Sequence, residues 1–369
     1  MNDTPIPVTK TYLPALEDYS ALLEGIWDNH WVTNNGPLIN QLEARLSERI
    51  GTPVRVVNNG TIALQIAVRA LRLTGSVITT PYSYVATTNA LLWEKLEPIF
   101  VDIEPTWYGL DPSLVEAAIR PDTTAILATH VYGYPCDHHG LSAIAERHGL
   151  KIIYDAAHAF DVKVDDQNIL RWGDISTLSF HATKVFHTVE GGGVVARDRL
   201  LNRQFDLLRA FGHVERDYLQ LGTNAKNSEF HSAIGLLNLK QLATNHEARK
   251  AISENYQARL GDLAAISTLD PKNYPGLSYN YAYYPIFCKD NALREALVEG
   301  LNAEEIYPRR YFEPSLNTLC FLPTASRVSC PVSEHAARTV LCLPLYPTLS
   351  LGDVDRICKP IISIAASWK

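Results

Sequence analysis

Asp174 to Gly193 reads DISTLSFHATKVFHTVEGGG, and the fold turns on this stretch. A largely apolar run, Ile175 to Phe180, predicts a buried strand that carries three hydroxyls. A histidine and then one lysine, Lys184, follow it. Three glycines, Gly191 to Gly193, precede a second apolar run, Val194 to Ala196. A lysine in a turn between two core strands sits where an ammonium is costly. Desolvation favours the neutral amine, and a neutral amine attacks carbonyls. A surface lysine in a hairpin fits the same letters, so the neighbouring chain has to decide.

Upstream, the pattern is one of strand–loop–helix units. Strands are expected at Val54–Val57, Ser76–Thr80, Ile99–Val101, Ala125–Thr129 and Lys151–Tyr154. Helices are expected at Ile62–Leu73, Tyr84–Glu94, Ser113–Ile119 and Leu141–His148. Such alternation implies a mainly parallel sheet with helices on both faces, and ligands gather beyond the carboxyl ends of its strands. Gly60 and Thr61, Tyr82 to Tyr84, His130 and Tyr132, Asp155 to His158, and Ser179 to Lys184 all fall at or just after strand ends. Before these units come an extended arm, Met1 to Pro14, and helices at Ala15–Asn29 and Pro37–Gly51. After them come a helix at Leu200–Phe211 and a long connector helix from Ser228 to Asn245 and beyond. From about Leu269 tyrosines and prolines multiply. There the segments YPRRYFEP (Tyr307–Pro314) and LCLPLYP (Leu341–Pro347) stand out, with a helix expected at Ala292–Leu301. The expected division is a large domain, 1–245, and a small one, 246–369.

Composition fits a globular chain of 369 residues: 46% hydrophobic, 20% charged, net charge −7. That balance excludes non-specific nucleic-acid binding and disorder as organising themes. Six scattered cysteines without a CxxC point away from zinc or a disulfide framework. No apolar run reaches membrane length and no signal pattern opens the chain, so a cytoplasmic protein is expected.

Each candidate carries two possibilities. Asp155, ending YD before AAHAF, can hold a heterocyclic N–H or cap a helix. Tyr84 can stack on a flat ring or pack in the core. The Asn59–Gly60–Thr61 loop can cradle a phosphate at a helix N-terminus or be an ordinary cap, being neither a Walker motif nor GxGxxG. Ser179 can join that cradle. His158 can border the ring or be structural. His130, His138 and His139 lack partners at ligand spacing, so no metal is expected.

Together NNGT, PYSYVATTNA, DAAHAF, SFHATKVFHTVEGGG and LGTNAKNSEFHSAIG resemble the DegT/DnrJ/EryC1/StrS family of sugar aminotransferases, from roughly Pro37 to Pro347. The resemblance implies a fold-type I, aspartate aminotransferase-like α/β/α sandwich with a smaller C-terminal α+β domain. It further implies a homodimer with shared active sites, and pyridoxal 5′-phosphate as cofactor. By the same resemblance Lys184 is the covalent lysine and proton shuttle, Asp155 pairs with the pyridine nitrogen, and Tyr84 stacks on the ring. Gly60, Thr61 and Ser179 bind the phosphate, His158 lies beside the ring, and Asn224 reaches the neighbouring subunit's phosphate. The family usually has an aromatic and an arginine after that asparagine; here stand Ala225 and Lys226. Sugar 3-dehydratases of the family carry histidine where Lys184 stands, so Lys184 implies transamination. HATK…TVEGGG is similar to enzymes that aminate sugar C4. The implied acceptor is a nucleotide-linked 4-keto-6-deoxyhexose, dTDP-4-keto-6-deoxy-D-glucose foremost, with L-glutamate as donor and a 4-amino-4,6-dideoxy sugar for O-antigen or another glycan as product. UDP- or GDP-linked sugars and amination at C3 remain alternatives, and nucleotide contacts are expected around Tyr307–Tyr311 and His213.

Overall fold

The computed structural model describes residues 4–368. The expected arm begins outside that range. From Thr4 onward it is extended: Ile6–Pro7 pairs in parallel with Ile306–Tyr307, and Thr11 Oγ1 donates to the Ala182 carbonyl at 3.1 Å. Two helices follow, α1 (Leu16–Asn29) and α2 (Pro37–Ile50). Pro37 suits the first turn of α2, and Gly51 ends it at φ 78°. Ile39, Leu42, Leu46 and Ile50 repeat on one face and are buried.

The central sheet has seven strands: β1 (Val54–Val57), β2 (Ser76–Thr79), β3 (Glu97–Phe100), β4 (Thr123–Thr129), β5 (Lys151–Asp155), β6 (Ile175–Ser179) and β7 (Gly192–Val195). Their order is β1-β7-β6-β5-β4-β2-β3. All neighbours are parallel except β7, which runs antiparallel to both β6 and β1. The exception has a local cause: β6 returns as β7 through the loop 180–191 instead of a helical crossover. The helices between the strands are α3 (Gly60–Ala70), α4 (Ala86–Trp93), α5 (Pro112–Val115, continued by a 3-10 turn) and α6 (His138–His148), with α7 (Arg199–Leu208) after the sheet. Ala63, Leu64 and Ala67 of α3 pack with Phe205 and Leu208 of α7 over one sheet face. Leu141, Ile144 and Ala145 of α6 cover part of the other. These near-continuous apolar strands are what a sheet buried on both sides requires.

Several expected helix starts move, that of Leu141–His148 back to His138. The helix expected from Ile62 begins at Gly60, because Asn59 caps it by accepting from the Ile62 N–H at 2.9 Å. The helix expected from Tyr84 begins at Ala86, which leaves Tyr84 in the preceding turn.

The long helix α8 (Glu229–Leu260) runs through position 245, where the two parts were expected to divide. Its Leu236 and Leu242 belong to the core beneath the large sheet, whereas Ile252, Tyr256 and Leu260 belong to a second core. That core joins a three-stranded antiparallel sheet, β8 (Ile266–Thr268), β9 (Tyr284–Cys288) and β10 (Val340–Leu343), to α9 (Asn291–Ala303) and α11 (Leu351–Ser367). Between them, α10 (Pro331–Thr339) is anchored to the large sheet: buried Asp102 accepts from the Val332 and Ser333 N–H groups at 2.8 and 2.9 Å. Among the described residues all six cysteines are free, and no helix is long and apolar enough to cross a membrane.

Candidate active site

Lys184 lies in the loop between β6 and β7. The Phe180 N–H donates to Gly191 O at 2.8 Å and the Thr188 N–H to Phe180 O at 2.9 Å. Phe180 and Phe186, both buried, pack edge-to-face at 4.9 Å and lock the loop to the core. Its ammonium is therefore fixed over the carboxyl end of the sheet, where burial pulls the pKa from 10.5 down to about 8, partly opposed by Asp155 and Tyr84. An amine with that pKa keeps roughly a tenth of its population neutral at pH 7, far more than an ordinary lysine, and a nucleophile and proton carrier draws on that fraction. Lys184 Nζ donates to Tyr283 Oη at 3.3 Å.

Asp155 ends β5 and is 6% exposed. Thr87 Oγ1 donates to its Oδ2 at 2.7 Å, and the Ala157 N–H to its Oδ1 at 3.1 Å. Burial raises its pKa, and those two donors and Lys184 oppose the rise. A turn, not a helix, follows it, so its strand-end position does not serve as a helix cap. His158 is 3% exposed and stacks on Phe312 at 5.3 Å and 7°. Its Nδ1 accepts from the Tyr132 N–H at 3.2 Å, and burial drives its pKa well below 6.5. It is a neutral imidazole with its proton on Nε2.

Gly60 and Thr61 form the first turn of α3. Among the described residues their N–H groups have no protein partner, as helix starts leave them. A side chain on Gly60 would put its Cβ 3.0 Å from Ser179 Cβ, and one on Gly192 would reach 2.5 Å from the Asn59 carbonyl. Glycine at both positions lets the helix start sit directly against the end of β6. Ser179 faces this turn, and Tyr84 is 58% exposed beside it rather than packed in the core.

Gly60, Thr61, Tyr84, Asp155, His158, Ser179 and Lys184 all line one cavity of about 320 Å³. A shallower hollow of about 480 Å³ between α1, α2 and α8 shares no residue with it. Of the expected set only Asn224 stands outside. It is exposed, its Oδ1 accepting from Lys226 Nζ at 2.8 Å. His213, on a short hairpin, and Tyr307 also lie outside the cavity, whereas Tyr311 lines it. Tyr283 and Phe312 are lining residues that sequence reasoning missed. The tyrosine-rich stretch after Leu269 and the YPRRYFEP segment were the available signals. His130 stacks on Tyr154 at 4.5 Å, and His138 on Trp172 at 4.7 Å.

This site couples a low-pKa lysine to a buried carboxylate across a cavity that ends in an open helix N-terminus. Residues 16–362 match the DegT/DnrJ/EryC1/StrS aminotransferase family. The chain belongs to that family. It is 41% identical over 98% of its length to the whole of a dTDP-4-amino-4,6-dideoxy-D-glucose transaminase from Shigella dysenteriae. It is 40% identical, over 98% of its length and 99% of the relative, to the Escherichia coli enzyme of the same name. A crystal structure of DesI with its TDP-sugar product superposes with a TM-score of 0.93 at 31% identity, covering 98% of this chain and 93% of that one. The protein is a sugar aminotransferase of the fold-type I class, and its cofactor is pyridoxal 5′-phosphate. The cavity fits that group. It offers an anionic floor for a protonated ring nitrogen, an exposed aromatic face, a reactive amine, and unpaired N–H groups where a phosphate belongs.

Proposed function

We propose that this aminotransferase moves the amino group of L-glutamate to C4 of dTDP-4-keto-6-deoxy-D-glucose, yielding a 4-amino-4,6-dideoxy sugar. The observation that carries the proposal is Lys184 and Asp155 lining one cavity, in a chain 41% identical end to end to a transaminase named for that product. In this reading Gly60, Thr61 and Ser179 hold the cofactor's phosphate, Tyr84 covers one ring face, and Asp155 holds the ring nitrogen's proton. His158, neutral and backed by Phe312, walls the site without adding charge. When bound, the cofactor supplies an electrophilic carbon and a ring that accepts electron density. Lys184 would hold the cofactor through its amine and, when that amine is free, would take up the proton from the donor's Cα. Tyr283 Oη, 3.3 Å from the amine, keeps it aimed along the cavity.

The same reading assigns a cytoplasmic homodimer, with Asn224 completing the partner's phosphate site and the product entering O-antigen or a related glycan. Its exposed position outside its own cavity supports that role for Asn224. The division into a large and a small domain at 245/246 draws support from α8, whose two ends lie in separate cores.

The test is product analysis after incubation of the purified protein with dTDP-4-keto-6-deoxy-D-glucose and glutamate. A 4-amino product of gluco configuration, shown by mass and by the proton couplings at C4, supports the proposal. No amination of this sugar, with turnover of a UDP- or GDP-linked sugar or a 3-keto sugar instead, overturns it.

A further inference from the structure

Four buried oxygen-bearing side chains line up behind the cavity. Thr129 Oγ1 lies 3.1 Å from Ser83 Oγ, Ser83 Oγ lies 2.7 Å from Thr87 Oγ1, and Thr87 Oγ1 lies 2.7 Å from Asp155 Oδ2. The direction of the bonds follows from counting protons. A hydroxyl has one hydrogen. Thr87 gives its hydrogen to the carboxylate, so Ser83 must donate to Thr87, and Thr129 then donates to Ser83. Every dipole in the row points toward Asp155.

The four residues come from different places in the fold. Thr129 and Asp155 are paired neighbours at the ends of β4 and β5. Ser83 lies in the turn before α4, and Thr87 lies in the first turn of α4. All four are buried, with Thr87 at 0% exposure. The fold does not demand such satisfaction here: the neighbouring hydroxyl of Thr88 is buried with no partner. In a helix a threonine hydroxyl commonly turns back to a carbonyl of the preceding turn, but that of Thr87 is spent on Asp155.

We infer that Thr87, backed by Ser83 and Thr129, is a positioning residue for Asp155, fixing the carboxylate's orientation and favouring its anionic form. The inference rests on the proposed role of Asp155 at the ring nitrogen. With the Ala157 N–H on Oδ1 and Thr87 on Oδ2, each oxygen is held by one donor and keeps a lone pair for the cavity. The other groups near the carboxylate are Lys184 and Tyr283, and neither is hydrogen-bonded to it. Burial acts against the anion. Removing Thr87's hydroxyl leaves one protein donor where there were two, and hydrogen bonds to charged groups are the strong ones.

The test uses the holoenzyme and three variants: Thr87→Val, which keeps the shape, Thr87→Ser, which keeps the hydroxyl, and Asp155→Asn. Two quantities are read: the cofactor dissociation constant by absorbance titration, and the pH at which the bound ring nitrogen loses its proton, by 15N NMR of labelled cofactor. Thr87→Val should weaken cofactor binding by roughly tenfold to hundredfold and lower that pH by about one unit or more. Thr87→Ser should stay within about threefold of the wild type. Should the valine variant not fold, Ser83→Ala, which strips the donor from Thr87, should move both readouts in the same direction by less. Unchanged readouts in Thr87→Val, with a large loss in Asp155→Asn, overturn the inference and leave Asp155's role standing. Unchanged readouts in Asp155→Asn overturn that role as well.

Discussion

Replacing Lys184 by methionine should make the cofactor-free protein more stable, although it destroys the enzyme. Burial lowers the amine's pKa from 10.5 to about 8, so folding disfavours the charged form by about 3 kcal/mol. Methionine keeps the length and removes the charge. Solvent in the cavity screens part of the cost, and the bond to Tyr283 Oη is lost, so about 1–2 kcal/mol should remain at pH 7. The sign follows from proton linkage. Between pH 8 and 10.5 the unfolded chain holds the lysine proton and the folded chain does not, so wild-type stability gains relative to the variant as pH rises. The advantage of Lys184→Met should thus be full below about pH 8 and shrink toward zero near pH 10.5. Thermal unfolding of both proteins, stripped of cofactor and scanned from pH 7 to 10, should show a Tm gain of about 1–3 °C that closes with pH. A variant no more stable than wild type at pH 7, or a gain that ignores pH, would refute the placement of this amine in a desolvated site.

Three other substitutions probe the remaining parts of the site and its support. Gly60→Ala places a Cβ 3.0 Å from Ser179 Cβ, forcing the start of α3 off the end of β6; cofactor affinity by absorbance titration should fall at least about tenfold. Tyr84→Ala removes an exposed ring, so the Tm of the cofactor-free protein should barely move, while cofactor affinity falls by roughly tenfold as a stacking face disappears. Asp102→Ala strips two N–H acceptors from the start of α10; urea unfolding should register a loss of about 1–2 kcal/mol, with cofactor affinity little changed.

Strand ends were what the sequence displayed best. Apolar runs, each closed by a polar residue, marked all seven sheet strands and put Asp155, Ser179 and Gly60 at one rim. The return of β7 as an antiparallel strand was legible in the short loop that carries Lys184. The second half of the site was not. Tyr283 and Phe312 reach the cavity from the C-terminal part of the chain, and only long-range packing brings them there; no local periodicity encodes it. The Thr87–Asp155 bond spans 68 positions and was equally invisible, since a threonine in a helix pattern reads as a neutral residue. The position of Asn224 can be seen in one chain, but its proposed partner lies in another.

The central claim is that the ε-nitrogen of Lys184 carries the cofactor, and one chemical experiment addresses it directly. The holoenzyme is reduced with borohydride, digested, and its peptides weighed. The account predicts that the peptide containing Lys184, and no other lysine peptide, gains the mass of the reduced phosphopyridoxyl group. Label on a different lysine, or none on a protein that binds the cofactor, would contradict it.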